Sequence, residues 1–120
     1  MIASILTSVK KSLGLEEAYT VYDADILMFI NATFSTLNQL GVGPVNGLQI
    51  EDETTTWEAF LDAELRLNFV PTYVFLKVKL LFDPPATSFA IQAIETQLKE
   101  YEWRINAFRE AEQWVPVVAE

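Results

Sequence analysis

The chain contains no cysteine and no histidine. Without cysteine there is no disulfide framework, no thiolate zinc site, no iron–sulfur cluster and no cysteine nucleophile. Without histidine the commonest general base, the Ser–His arrangement and imidazole metal ligation are all excluded. Basic residues are scarce: 8 Lys and Arg stand against 17 Asp and Glu, a formal charge of -9. A protein that binds by neutralising phosphates needs the opposite balance, so no specific nucleic-acid partner is expected. Long apolar runs are missing too. A membrane span needs roughly 18 uncharged apolar residues, and the richest stretch, Phe69 to Phe82, is broken by Lys77 and Lys79. No membrane partner is expected. At the N-terminus Lys10 and Lys11 follow the apolar residues, the reverse of a secretory signal, which places the protein in a cytoplasm.

What is present is apolar and aromatic. The 120 residues are 51% apolar and 12% aromatic. That is one domain's length, 1–120, with enough apolar surface to fold and no compositional mark of disorder. Some of this apolar surface is expected at subunit contacts.

Punctuation falls at Gly14, at Gly41-Val42-Gly43-Pro44, at Asn46-Gly47 and at Asp83-Pro84-Pro85. Between these marks the pattern is helical. Ile2, Ile5, Leu6, Val9 and Leu13 predict a first helix over 2–13, with Gly14 as its stop and Lys10 and Lys11 at the negative end of its dipole. Ile26, Ile30, Thr33, Leu37 and Leu40 predict a second over 23–40, with Asp23 as N-cap and Asp25 in the first turn. Residues 41–53 form a loop, in which Leu48 to Ile50 is extended and Glu51, Asp52 and Glu53 form an acidic run. Thr55 and Glu58 have capping-box spacing and predict a short helix bearing Trp57, Phe60 and Leu61.

A fourth helix is predicted over 68–82, with Pro71 in its first turn. Tyr73 to Phe82 is apolar nearly all round, the mark of a central helix. Val74, Leu76, Val78, Leu81 and Phe82 are expected to be buried, with Ile26, Ile30, Leu37, Ile94, Leu98 and Ile105 around them. Lys77 and Lys79 are separated by about 200° and must run their stems along apolar surface. Asp83-Pro84-Pro85 is a stop.

The last helix is predicted over 88–112. Ile91, Ile94, Leu98, Tyr101, Ile105 and Phe108 step by threes and fours, a seam for lengthwise packing, read as core in preference to coiled coil. Phe89, Trp103 and Trp114 fall off this seam and are either interface anchors or covered by a loop or the tail. Residues 113–120 are expected to be an extended tail. The predicted fold is all-α: a compact bundle of four to five helices with one long loop between the second and third.

No pattern supports chemistry. The acidic run at 51–53 lacks calcium-loop spacing. Gly41-Val42-Gly43-Pro44 lacks the Lys-Ser/Thr of a phosphate loop. The serines have no histidine partner. Nor does a small helical chain offer a cleft for paired carboxylates to act on a sugar. No catalytic, cofactor or metal site is expected.

One resemblance runs through most of the chain. The string Tyr73-Val-Phe-Leu-Lys-Val-Lys-Leu-Leu-Phe-Asp-Pro-Pro85 resembles the head–tail connector, or head-completion adaptor, proteins of tailed phages and prophages. So do Leu40-Gly-Val-Gly-Pro44, Ile50-Glu-Asp-Glu-Thr54 followed by Trp57, Asp25-Ile26 and Glu102-Trp103-Arg104. The likeness extends from about Ile5 to Asn106. Pro71 stands where an ordinary helix former is expected, which shifts the start of that helix.

The resemblance implies a helical, non-enzymatic virion protein at the portal vertex, assembled in the bacterial host cytoplasm. It implies a ring of roughly twelve identical subunits beneath the portal protein, offering a surface to the next tail-proximal connector or stopper protein. An acidic lining would let DNA slide without sticking. The subunit contact is expected at Leu48, Ile50, Glu51, Asp52 and Trp57, because the loop's apolar residues lack a helix of their own to pack on. The portal contact is expected at Trp103, Arg104, Phe108 and Trp114. The alternative is an acidic DNA mimic or regulatory binding protein of phage origin, which would carry a row of carboxylates along one exposed face.

Overall fold

A computed structural model of the chain describes residues 4–61 and 65–113. Five α-helices follow in order: α1 (Ile5–Ser12), α2 (Asp23–Gln39), α3 (Trp57–Leu61), α4 (Val70–Phe82) and α5 (Ser88–Gln113), with one 3-10 turn at Leu65–Leu67 before α4. Among the described residues there is no strand. A single antiparallel bridge joins Ser4 to Thr56. The fold is an all-α bundle, with its long loop between α2 and α3.

The N-terminus of α1 is capped by Ser4, whose side chain accepts from the Thr7 N–H at 3.2 Å. The ends of α1 and α2 use the same device. After α1, the Leu15 N–H reaches the Lys10 carbonyl at 2.9 Å and Gly14 reaches Lys11 at 3.0 Å. After α2, Val42 reaches Leu37 at 2.8 Å and Gly41 reaches Asn38 at 2.9 Å. Both are Schellman closures, which require a left-handed residue. Gly14 and Gly41 supply it, with φ of 84° and 92°.

At the start of α2 the expected cap is not made. Tyr22 holds the N-cap position without a side-chain bond. Asp23 is instead ion-paired at 2.8 Å with Lys10, whose side chain is 3% exposed. The same ammonium donates to the Glu17 carbonyl at 2.9 Å. A buried ammonium needs both a counter-charge and hydrogen-bond acceptors, and here it draws the α1–α2 connection and the start of α2 onto one point. The capping box expected at Thr55 is displaced by one residue. The Thr55 carbonyl accepts from the Ile5 N–H at 3.0 Å, and it is the Thr56 hydroxyl that lies 3.4 Å from the Ala59 N–H.

The core gathers around α4, which packs on α1, α2 and α5. Val70, Tyr73, Val74 and Val78 form its buried face. Ile26, Ile30 and Leu37 of α2, and Leu98 and Ile105 of α5, are buried against the same centre, with Ile94 half-buried at its edge. Leu76 and Phe82 are likewise half-buried. Leu81 is not core: it is 53% exposed. By rotation it shares the face of Val74 and Val78, but it lies in the final turn. There the chain leaves through Asp83-Pro84-Pro85, and Tyr22 packs edge-on against the neighbouring Phe82 instead, at 5.2 Å between ring centres. Pro71 sits in the first turn of α4, which starts at Val70 and not at residue 68.

A second aromatic cluster closes the α2–α3 side. Phe34 stacks on Phe60 at 4.2 Å between ring centres and meets Trp57 edge-on at 6.3 Å. In the first turn of α4, Tyr73 is fully buried and its hydroxyl donates to Glu102 of α5 at 2.7 Å. Lys77 lies 3.9 Å from the same carboxylate. Phe69 stacks on Tyr101 at 4.9 Å. The α4–α5 contact therefore combines the predicted apolar seam with one buried polar tie.

Candidate assembly surfaces

Two regions carry the residues predicted for contact, and the structure treats them differently. The first is the loop from Gly41 to Thr56. Asn31 on α2 governs its second half. Its Oδ1 accepts from the Ile50 N–H at 2.8 Å, and its Nδ2 donates to the Ile50 carbonyl at 2.9 Å. The side-chain amide thus satisfies both backbone groups of one residue, as a neighbouring strand would. This holds the Ile50 side chain inward, where it is 1% exposed. Asn38 holds the first half by donating to the Pro44 carbonyl at 3.0 Å.

Ile50 therefore does pack on the subunit's own helices, and the reason for expecting it at a subunit contact fails. Trp57 is also buried, against Phe34. Leu48 is half-buried, and Glu51 and Asp52 are exposed. The Asp52 carboxylate accepts from the Thr54 N–H at 2.9 Å and from its hydroxyl at 2.6 Å. These two bonds hold its pKa below the ordinary carboxylate value.

Val45 was not singled out from the sequence. It occupies the tip of a turn closed by the Gly47 N–H on the Pro44 carbonyl at 2.9 Å, and it is 93% exposed. The signal was an apolar residue between Pro44 and Asn46-Gly47, where a tight turn must project its second residue. Beside it a groove runs between Gly43–Val45 and Glu58–Leu61, floored by Leu67.

The second region is α5. Trp103 is 69% exposed and Phe89 is 83% exposed. Of the two readings left open by the sequence, covered or displayed, these two aromatics take the second among the described residues. Arg104 is exposed, pairs with Glu100 at 2.7 Å and lies 6.0 Å from the Tyr101 ring centre. Phe108 is different. It is half-buried against the core, with the Arg66 guanidinium 4.6 Å above its ring. Phe108 is therefore engaged within the subunit. Trp114 lies outside the described residues.

Among the described residues no three Asp or Glu side chains come together as a metal site would require. No described helix is long and apolar enough to cross a membrane.

The family model for phage connector proteins matches residues 5–112. The chain belongs to the phage connector protein family. That span takes in α1 to α4 and all of α5 but its last residue, with both surfaces just described. No match was found among curated proteins or among solved structures.

Proposed function

We propose that the chain, acting as a single helical domain, is a head–tail connector subunit. Identical copies form a ring beneath the portal, extend the DNA channel and present a face to the next tail-proximal connector or stopper protein. The observation that carries this reading is the connector-family match across the whole helical bundle. Exposed apolar residues on two separate surfaces support it, because a connector subunit must hold its neighbours in the ring through one surface and the portal through another. The charge of -9 is consistent with a channel that repels phosphate.

On this reading the loop makes the lateral contact through Val45, Leu48, Glu51 and Asp52. Ile50 and Trp57 shape it from inside. Trp103 and Arg104 face the portal, and Phe108 supports them from the core side. The exposed carboxylates come from the α1–α2 connection, the start of α2, the long loop, α3, the α4–α5 connection and both halves of α5, which does not favour a phosphate-mimicking row.

The test is electron microscopy of the protein mixed with its portal. Added density below the portal is expected. Absence of binding at both low and moderate salt would count decisively against the connector role. Val45→Asp should leave the helical circular-dichroism signal intact while blocking ring closure.

A further inference from the structure

The outer face of α5 is built as a second seam. A helix turns about 100° per residue, so positions alternating by four and three share a face. Phe89, Ala93, Thr96, Glu100, Trp103 and Ala107 step by 4, 3, 4, 3 and 4 on the side opposite Leu98 and Ile105. The first five of these are exposed and Ala107 is half-buried. The face thus has two large aromatic knobs, small residues between and beyond them, and one carboxylate.

We propose that this face pairs antiparallel with the same face of a second copy of the chain. The spacing is self-complementary about residue 98. Antiparallel alignment there sets Phe89 over the partner's Ala107, Trp103 over the partner's Ala93, and Thr96 against the partner's Glu100. Each large ring meets a small residue, the arrangement that lets two helices approach closely. The Thr96 hydroxyl can donate to the opposing carboxylate. Lys99, beside Glu100, is brought near the partner's Glu100 at the centre, so two opposite-charge pairs flank the axis. Parallel alignment loses all of this, since it sets Phe89 on Phe89, Trp103 on Trp103 and Glu100 on Glu100, ring against ring and like charge against like charge.

The pairing rests on α5 alone and not on the connector reading. A face that holds a second copy cannot simultaneously hold a portal, so the pair is a form of the free protein. One helix pair of this length buries less than the roughly 1,200 Å² of a stable complex, so association should be weak, with a Kd on the order of 10–500 µM.

The experiment is sedimentation equilibrium of the free chain across that range, with circular dichroism alongside. A monomer–dimer transition is expected. Trp103→Glu should weaken it by at least about tenfold, as for an interface anchor. Phe89→Ser is the second variant, and both should keep the wild-type helical signal because the replaced side chains are exposed. Orientation is read separately by oxidation of single-cysteine variants, since the native chain has no cysteine. Gln92→Cys mixed with Asn106→Cys should cross-link. Neither should cross-link with itself, because like positions would lie about 18 Å (residue 92) and about 24 Å (residue 106) apart along the axis.

A monomer at all concentrations overturns the proposal. So does a dimer that survives both variants, which would use another face. Cross-linking of like with like would mean a parallel pair, and a monomer that dimerises only after deletion of residues 114–120 would mean that the tail occupies the face. Both results overturn the proposal too.

Discussion

Arg109, near the end of α5, donates from Nη1 to the carbonyl of Leu40 at 3.3 Å. The acceptor is the C-cap of α2, 69 residues earlier in the chain. The guanidinium lies against Gly41 so closely that a Cβ there would occupy the same space. The end of α5 and the start of the long loop are therefore one joint. It links the base of the proposed lateral contact to the helix that bears the proposed portal contact.

Gly41→Ala should destabilise by about 1–3 kcal/mol, from the left-handed backbone and from the displaced Arg109. The displacement part should vanish in an Arg109→Ala background, since the obstructing group is gone. A double-mutant cycle by urea denaturation should show a coupling of about 0.5 kcal/mol or more. Strict additivity would mean that only the backbone strain matters.

Removal of Asp23 should be worse than removal of Lys10. Asp23→Ala leaves an ammonium buried without its counter-charge, at a cost of about 3 kcal/mol. Lys10→Met replaces the stem with an apolar side chain and frees a partly exposed carboxylate to meet water, so the loss should be about 1 kcal/mol or less. Thermal or urea unfolding of both variants checks the order. Equal losses would show that Lys10 is solvated in solution.

Asn31→Leu removes both hydrogen bonds to the Ile50 backbone. Two buried polar groups then lose their partners, for an expected cost of about 2–3 kcal/mol. Hydrogen exchange should speed up at Ile50 more than at the helix amides of α2. Uniform acceleration throughout the chain would show only global destabilisation.

Tyr73 has its pKa raised well above the ordinary 10.0, first by burial and then by the hydrogen bond to the Glu102 carboxylate and that group's charge. Below pH 10 the phenol is neutral in both folded and unfolded chains. Above it, the unfolded chain loses the proton that the folded one keeps, so stability falls as pH rises. Tyr73→Phe should cost about 1 kcal/mol near neutrality and reduce the alkaline loss. The check is the urea midpoint of both proteins between pH 8 and 11. Identical slopes above pH 10 would show that other groups govern the alkaline transition.

Local pattern carried most of the helical layout. Gly14 and Gly41 stop α1 and α2 because left-handed closure is a property of a few consecutive residues. The three-and-four spacing of Leu98, Tyr101 and Ile105 marked the inner face of α5 for the same reason. The caps were less legible. Asp23 has a good N-cap side chain but serves Lys10 instead, because a buried ammonium loses more without a carboxylate than a helix loses without a cap. Neither Asp23 nor Lys10 announces this in sequence, since it depends on where α1 docks.

Composition alone ruled out thiol and imidazole chemistry, because those functional groups are absent from the chain. The connector strings from Leu40 to Pro44 and from Tyr73 to Pro85 indicated the family. Burial was decided only by the tertiary structure. Ile50 is core because Asn31, 19 residues away, pairs with its backbone. Leu81 is exposed because the packing in the last turn of α4 falls on Phe82, which meets Tyr22, although its spacing matches Val74 and Val78. Helical periodicity specifies which side of a helix a residue occupies, while the length and placement of the packing partners determine whether that side is covered. Phe108 and Trp103, five residues apart on one helix, separate on this ground: the Arg66 guanidinium and the core lie against the first, and the second is exposed.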